Sequence, residues 1–402
     1  MTMLKQPKGF WPLFGADAIV RTGYQMGKTP VLPMFAALIG AGELMIGTIV
    51  AVSTVTGMVA KPFVGALSDR WGRRLWFFAA LLLFAGTPFL YRFVEVPEQL
   101  FWLRLFHGSA TAIFGPVTLA LVAEMDRQGR ATRLGWFGIA REIGYLLAPA
   151  IAGWLLLVFE DPADLFTIIG LLSCAAFAPA AFMRFPPTPL QAGGADRTGV
   201  FRQLVDGFRH TATRGEMWFA GTLEMTVYAV TYGLKAFLPL FVVQVAGFSW
   251  LDAGLFFTIQ EAANVLTRPV GGRVGDRVGY LPAIAGGLAL VALALVWLPA
   301  VSVAPSLLAV AVASGIGQGL IFPSTVAMVG TAVGAGHLGL GLGIYGTLKN
   351  LGKVAGPLAA GALLQVMPYA TLFRALAVLA IAVAAGVLLA HRYQRRLSEQ
   401  PS

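Results

Sequence analysis

The sequence predicts an all-α membrane protein: twelve transmembrane helices in two pseudo-symmetric six-helix halves. Three observations carry that prediction. The 402 residues are 57% hydrophobic and 12% charged, with a mean hydropathy of +0.75, whereas a soluble domain carries about 25% charge. The apolar residues gather into twelve runs, most of them near or above the roughly 20 residues that cross a bilayer as a helix. A charged motif between two of those runs returns in the second half of the chain.

The motif reads K-P-F-V-G-A-L-S-D-R-W-G-R-R over 61–74 and R-P-V-G-G-R-V-G-D-R-V-G-Y over 268–280. Lys61, Pro62, Gly65, Asp69, Arg70 and Gly72 correspond to Arg268, Pro269, Gly272, Asp276, Arg277 and Gly279, each pair 207 residues apart. One copy is compatible with a plain basic turn between membrane helices. Two copies at one offset indicate two halves built on one plan.

Taken in order, a short basic lead (1–11, with Lys5 and Lys8) precedes the first six spans at 12–38, 45–66, 75–93, 99–124, 134–158 and 163–183. The N-terminal half is therefore 1–183. Residues 184–215, rich in Pro, Gly and charge, read as a cytoplasmic linker with an amphipathic piece near Phe201 to Phe208. The C-terminal half, 216–402, holds spans at 216–244, 251–272, 281–299, 305–329, 338–366 and 370–391, then a short tail. The repeat supports individual spans. Leu32-Pro33-Met34-Phe35 in span 1 matches Leu238-Pro239-Leu240-Phe241 in span 7, and Ile113-Phe114 in span 4 matches Ile321-Phe322 in span 10. In span 5, Gly144, Pro149 and Gly153 match Gly352, Pro357 and Gly361 of span 11. Each pair keeps its direction across the membrane, so the repeats are parallel.

Of the 29 Lys and Arg residues, 18 fall on one side of these spans and only Arg92 and Arg374 near the other. The positive-inside rule places both termini in the cytoplasm, in a cell (inner) membrane protein. The same bias accounts for the net charge of +10 without nucleic acid. The first apolar run leads straight into further spans, so no cleavable signal peptide is expected. Cys174 stands alone and His107, His210, His337 and His391 lack ligand spacing, so neither disulfides nor a metal is expected. Gly341-x-Gly343-x-x-Gly346 opens a membrane helix and follows no strand, which makes it packing rather than dinucleotide binding. No G-x-x-x-x-G-K-[ST] occurs, which argues against ATP drive, and no catalytic constellation supports an enzyme. No cofactor is expected.

G-A-L-S-D-R-W-G-R-R (65–74) resembles the signature loop between helices 2 and 3 of the major facilitator superfamily, a family of secondary transporters. The second copy is similar to its partner between helices 8 and 9, with Tyr280 where a basic residue is usual. The resemblance implies alternating access. It also implies that Asp69, Arg70 and Arg73, with Asp276 and Arg277, latch the halves together on the cytoplasmic face in the outward-open state. Gly65, Gly72 and Gly272 would frame the turns; the plainer alternative is a topology anchor. Arg104 with His107-Gly108 resembles the family's helix 4 motif, in which the Arg is associated with proton coupling; His107 stands where Gln is common. Gly144 to Gly153 resembles the G-x-x-x-G-P-x-x-G-G motif of the drug:proton antiporter-like branch, with Ala148 and Ala152 in place of two glycines. Small-residue helix packing is the alternative for both motifs.

Ionisable residues inside the spans are costly and are candidate functional groups. Asp17, Arg21, Gln25 and Lys28 share one face of span 1 at spacings of four, four and three. Glu224, Tyr228, Tyr232 and Lys235 repeat that spacing in span 7. Span 8 offers Glu261, Asn264 and Arg268; span 10 offers Ser314, Gln318 and Thr325; span 11 offers Tyr345, Lys349 and Lys353. With Arg141 of span 5, these stripes suit a cavity that binds a small molecule. The expected proton-coupling groups are Glu224 or Glu261, with Glu142 a third candidate and Arg104 assisting. Two readings stand side by side: proton-coupled efflux of a small molecule, and proton-linked import or exchange of an organic anion. The excess of lysines leads to the expectation of an anionic substrate. The other partners expected are protons and the lipid bilayer, with the chain acting as a monomer.

Overall fold

The structure is a computed structural model that describes residues 7–125, 130–159, 161–183, 185 and 215–398. The expected linker and its amphipathic piece lie outside the described residues, apart from Phe185 and Gly215. All regular structure among the described residues is helical.

Span 1 is broken in two. Helix α1 (Phe10–Met26) passes through a π turn (Gly27–Val31) into α2 (Leu32–Leu38). Pro30 lies in that turn and Thr29 leaves helical geometry at φ −147°, ψ 119°. Proline removes a helical hydrogen bond and crowds the preceding turn, which accounts for the break. Its counterpart in the second half, α9 (Gly215–Leu240), runs unbroken, and its π turn comes later, at Phe241–Val245.

The charged motifs are helical almost throughout, which corrects the expected loop. Helix α3 (Glu43–Trp71) and α4 (Arg73–Leu90) are separated by Gly72 alone. Gly72 takes φ 84°, ψ 139°, and its repeat partner Gly279 takes φ 104°, ψ 149°. Only glycine adopts such values without strain. Gly65 and Gly272 are therefore helix-interior residues rather than turn residues. The stretch A-L-S-D-R-W contains neither Pro nor Gly, so nothing stops the helix before Gly72.

Helices α5 (Pro97–Glu124), α6 (Arg130–Val158), α7 (Pro162–Ala175) and α8 (Phe177–Ala181) complete the first half. In the second half, α10 (Trp250–Val278) opens on a capping box: Ser249 N donates to Asp252 Oδ2 at 3.0 Å and Asp252 N to Ser249 Oγ at 3.1 Å. Helix α11 (Tyr280–Trp297) follows Gly279, and α13 (Tyr369–Ser398) ends the described chain.

Helix α12 (Ala304–Leu364) differs most from expectation, because helical bonding continues through the link expected between spans 10 and 11. Its 61 residues would extend about 90 Å if straight. Thr325 and Tyr345 on this one helix have their hydroxyls 3.0 Å apart, where a straight helix would separate them by about 30 Å. The helix reverses direction between them, giving two limbs that serve as spans 10 and 11.

Nine helical segments among the described residues are long and apolar enough to cross a membrane. Spans 1, 8 and 11 fall short of that measure, and each carries a polar stripe. Trp102, Phe182, Leu266 and Leu389 are largely exposed, an arrangement that suits lipid contact.

The described chain forms two compact units. One holds residues 7–185 with Leu238–Val243 and Ser249–Thr258; the other holds 215–237, Gln244–Phe248 and 259–398. The first is built on a buried cluster in which Phe77 stacks on Phe114 at 5.5 Å and Phe84 meets Phe114 edge-on. In the second, Met217, Ala220, Val329 and Tyr345 pack together directly beside the polar stripe of α9.

Candidate functional site

In the second unit, the two stripes seen in the sequence meet face to face. Glu224, Tyr228, Tyr232 and Lys235 follow one another along α9; Tyr345, Lys349 and Lys353 follow along the second limb of α12. Glu224 lies beside Tyr345, Tyr228 beside Lys349, and Tyr232 beside Lys353, each pair 121 residues apart. A constant separation means that the two helices run in the same direction here. Lys349 Nζ lies 4.5 Å from the Tyr228 ring centre and 5.0 Å from that of Phe322. Lys353 Nζ lies 5.2 Å from both Tyr228 and Tyr232. Next to these stripes the helices touch through glycine: a Cβ on Gly352 or Gly356 would strike the Met225 or Ala229 carbonyl.

The two carboxylates of this cluster have different surroundings. Glu224 is 1% exposed. Its Oε2 lies 3.0 Å from Thr325 Oγ1, which lies 3.0 Å from the Tyr345 hydroxyl, and its Oε1 is buried with no hydrogen-bond partner. A Tyr345–Thr325–Glu224 relay serves either protonation state. With Glu224 ionised, each hydroxyl donates toward it; with Glu224 protonated, it donates back. Glu261, by contrast, is clamped. Asn264 Nδ2 donates to its Oε1 at 3.0 Å, Arg268 approaches at 3.4 Å and Lys235 at 3.8 Å. Nearby, Gln260 and Gln318 both donate to Ser314 Oγ, at 2.8 and 3.3 Å.

The first unit holds the counterpart stripe with a different balance. Asp17, Arg21, Gln25 and Lys28 precede Glu224, Tyr228, Tyr232 and Lys235 by 207 residues each. Arg21 pairs with Asp17 at 2.7 Å and lies 5.9 Å over the Phe114 ring. At the matching place, Tyr228 leaves Glu224 without a cation one turn along its own helix. Gln25 is half-buried. Lys28 sits in the π turn whereas Lys235 sits in regular α-helix, so the two lysines share a repeat number but not a backbone setting. Arg141 lies within electrostatic reach of Arg21, Asp17, Tyr145 and Glu142, and both Arg141 and Glu142 are half-buried.

Arg104 is among the largest fully buried side chains of the described residues. Its guanidinium donates to the hydroxyls of Tyr91 and Tyr24, both at 3.3 Å, and of Ser53 at 3.1 Å. Among the described residues no carboxylate pairs with it. The Tyr91 hydroxyl accepts from Arg104, so its own proton is directed at His107 Nδ1, 3.0 Å away, which fits a neutral imidazole protonated on Nε2. A Cβ on Gly108 would lie 2.9 Å from Ser53 Cα. The glycine thus lets α5 approach α3 and seats Arg104 against Ser53.

In span 5, Gly144 packs on the backbone of Arg21 and Thr22. Gly153 faces the start of α10, where its Cβ would lie 2.5 Å from the Trp250 carbonyl and 3.2 Å from Gly254 Cα. Close helix packing therefore needs these glycines in their own right. At the charged motif, Arg73 Nε donates to Glu124 at 2.8 Å and Arg73 reaches Ser68 Oγ at 3.4 Å. Arg70, Asp276 and Arg277 are exposed. Asp69 lies in the last turn of α3, and its side chain falls outside the described ones.

The sequence profile of the Major Facilitator Superfamily matches residues 18–299 and 251–402. The chain belongs to the Major Facilitator Superfamily. It is 24% identical over 363 residues to Multidrug resistance protein 1 of Bacillus subtilis, covering 88% of this chain and 90% of that protein. It is 23% identical over 376 residues to the Quinolone resistance protein NorA of Staphylococcus aureus, covering 92% and 94%. Among solved structures, the nucleoside transporter NupG superposes with a TM-score of 0.78 at 15% identity, over 94% of this chain and 98% of that one. A single-residue variant of the peptide transporter POT superposes at 0.77 and 13% identity, over 99% and 97%. The protein is thus a transporter of this superfamily, with its fold of paired six-helix halves.

Tyr24, Tyr91, Ser53 and Phe322 were not among the candidate site residues from the sequence, whereas Thr325 was, on the polar stripe of span 10. Each of the four is an ordinary apolar-helix residue by sequence, and its role comes from a neighbour far along the chain. Tyr24 carried a usable signal: it lies one position from Gln25 on the polar side of α1.

Proposed function

We propose that this chain exports a small molecule by alternating access, with the movement of a proton on and off Glu224 coupled to transport. The observation that carries the proton site is the contrast among three acids. Asp17 is held by Arg21 at 2.7 Å and Glu261 by Arg268 and Lys235, at 3.4 and 3.8 Å. Glu224 alone of the three combines near-complete burial, a hydroxyl relay and an oxygen without a hydrogen bond. Opposite charges stabilise an ionised carboxylate and burial disfavours it, so Glu224 is the acid whose state an approaching group can change. Arg104, buried among neutral hydroxyls, is given a positioning role in the first unit. Efflux is supported by the names of the two curated relatives, a multidrug and a quinolone resistance protein. The basic bias supports placing both termini in the cytoplasm, and the exposed charges of the two repeated motifs support a gating role there.

The test is made in intact cells preloaded with a fluorescent compound that the protein removes. Extrusion should stop when a protonophore collapses the proton gradient, and Glu224→Gln should abolish it at equal expression. Extrusion that persists in both cases refutes proton coupling through Glu224.

A further inference from the structure

The helix ends beside the charged motif differ between the two units. In the first, Arg73 donates to Glu124 at 2.8 Å. In the second, Tyr280 stands in the place of Arg73, 207 residues on. By the register of Ile113-Phe114 with Ile321-Phe322, the place of Glu124 is taken by Ala332. The second unit therefore lacks both members of that pair. It has a different acid nearby: Glu216 of α9, whose counterpart in the register of Asp17 with Glu224 is Gly9. Among the described residues no cation pairs with Glu216.

Here the second unit holds a cavity of about 430 Å³, within the range of small-molecule sites. It is lined by Glu216 and Phe219 of α9, Tyr280 and Leu281 of α11, Met328 of α12 and His391 of α13. Four helices of one unit thus enclose it. The turn between α10 and α11 seats two of the rings: a Cβ on Gly275 would lie 3.1 Å from Tyr280 Cδ1, and one on Gly279 3.9 Å from His391 Cε1. Along α9, Glu216 lies about 12 Å from Glu224. Met217 and Ala220, on the turns between them, pack with Val329 and Tyr345, and Met328 packs on that cluster. The cavity is therefore separate from the polar stripe.

We propose that this cavity binds an amphipathic organic cation, its ammonium group on Glu216 and its apolar body against Phe219, Leu281 and Met328. The Glu216 carboxylate offers an ammonium a charge-assisted hydrogen bond. Phe219 and Tyr280 add aromatic rings, whose faces attract cations. Met328 is a flexible side chain that adapts to the shape of an apolar body. An organic anion would meet the carboxylate instead. The first unit has an ion pair of its own at the matching place, so the site belongs to the second unit.

The experiment uses purified full-length protein with one thiol at the cavity, Cys174→Ser combined with Thr331→Cys; Thr331 also lines the cavity and is exposed. Alkylation of that thiol by a maleimide is timed with 2-naphthylmethylammonium and with the matched anion 2-naphthoate. The cation should slow alkylation in a saturable way, and naphthoate should not. In the wild type neither probe should change alkylation of Cys174, which lies in the first unit. Glu216→Gln should raise the cation concentration for half-protection roughly ten- to a hundredfold, the range for one charged hydrogen bond, and Glu216→Asp should recover part of that loss. Tyr280→Arg keeps the acid but gives it the cation of the first unit, and should abolish protection. Each variant should retain the thermal unfolding profile of its parent. Protection by naphthoate as strong as that by the cation, or no protection by the cation at millimolar concentration, overturns the proposal. Protection unchanged in both Glu216→Gln and Tyr280→Arg overturns it equally.

Discussion

Replacing Glu261 by Gln removes a carboxylate that Lys235 and Arg268 both approach and should destabilise the protein, whereas Glu224→Gln should not. Arg268 and Lys235 approach Glu261 at 3.4 and 3.8 Å, with side-chain exposures of 27% and 20% against 11% for the glutamate. Each attraction is about 4 kcal/mol at an effective dielectric of 20. Breaking a buried pair typically costs about 3–5 kcal/mol, since the remaining charge is left unmatched. Both cations here keep some solvent access and a glutamine still accepts from Asn264, so a loss of about 2–3 kcal/mol is expected. Glutamine at 224 mimics the protonated acid and keeps the Thr325 contact, so its effect should stay within about 1 kcal/mol. The assay is thermal unfolding in one detergent, for both single variants and for Glu261→Gln combined with Lys235→Gln. The double variant should recover part of the loss, because the two positions share one interaction. Equal destabilisation by Glu224→Gln and Glu261→Gln would refute the distinction between a clamped and an exchangeable carboxylate.

Asp69→Asn should lower turnover with little effect on expression, measured together on the same membranes; normal turnover would reduce the motif to a topology anchor. Gly254→Val places a side chain against the Pro149 carbonyl and Gly153 Cα, and should cost about 1–3 kcal/mol through overpacking, read as a lowered unfolding temperature. Tags at residues 1 and 402 should be inaccessible from outside in intact cells, and labelling of either would overturn the topology.

The fold was legible because composition and a repeat at an offset of about half the chain are global properties that local irregularity does not erase. What was missed was local. Pro30 broke span 1, and helical bonding carried on through the link expected between spans 10 and 11. The loop assigned to the charged motif proved to be one glycine, since charge alone does not end a helix. At the site, the stripes on α9 and α12 were readable one helix at a time. Their pairing was not, because periodicity fixes a face and says nothing of its neighbour. The different states of Glu224 and Glu261 depend on Thr325, Asn264 and Arg268 reaching them in space. Arg104 stood out in the sequence, but its hydroxyl partners Tyr24, Tyr91 and Ser53 did not.

Flux in proteoliposomes under an imposed pH gradient tests the central claim most directly. Wild type and Glu261→Gln should both respond to the gradient, the latter in proportion to the folded protein recovered, while Glu224→Gln should show no gradient-driven flux. A gradient response that survives in Glu224→Gln, or its absence in the wild type, would contradict the account.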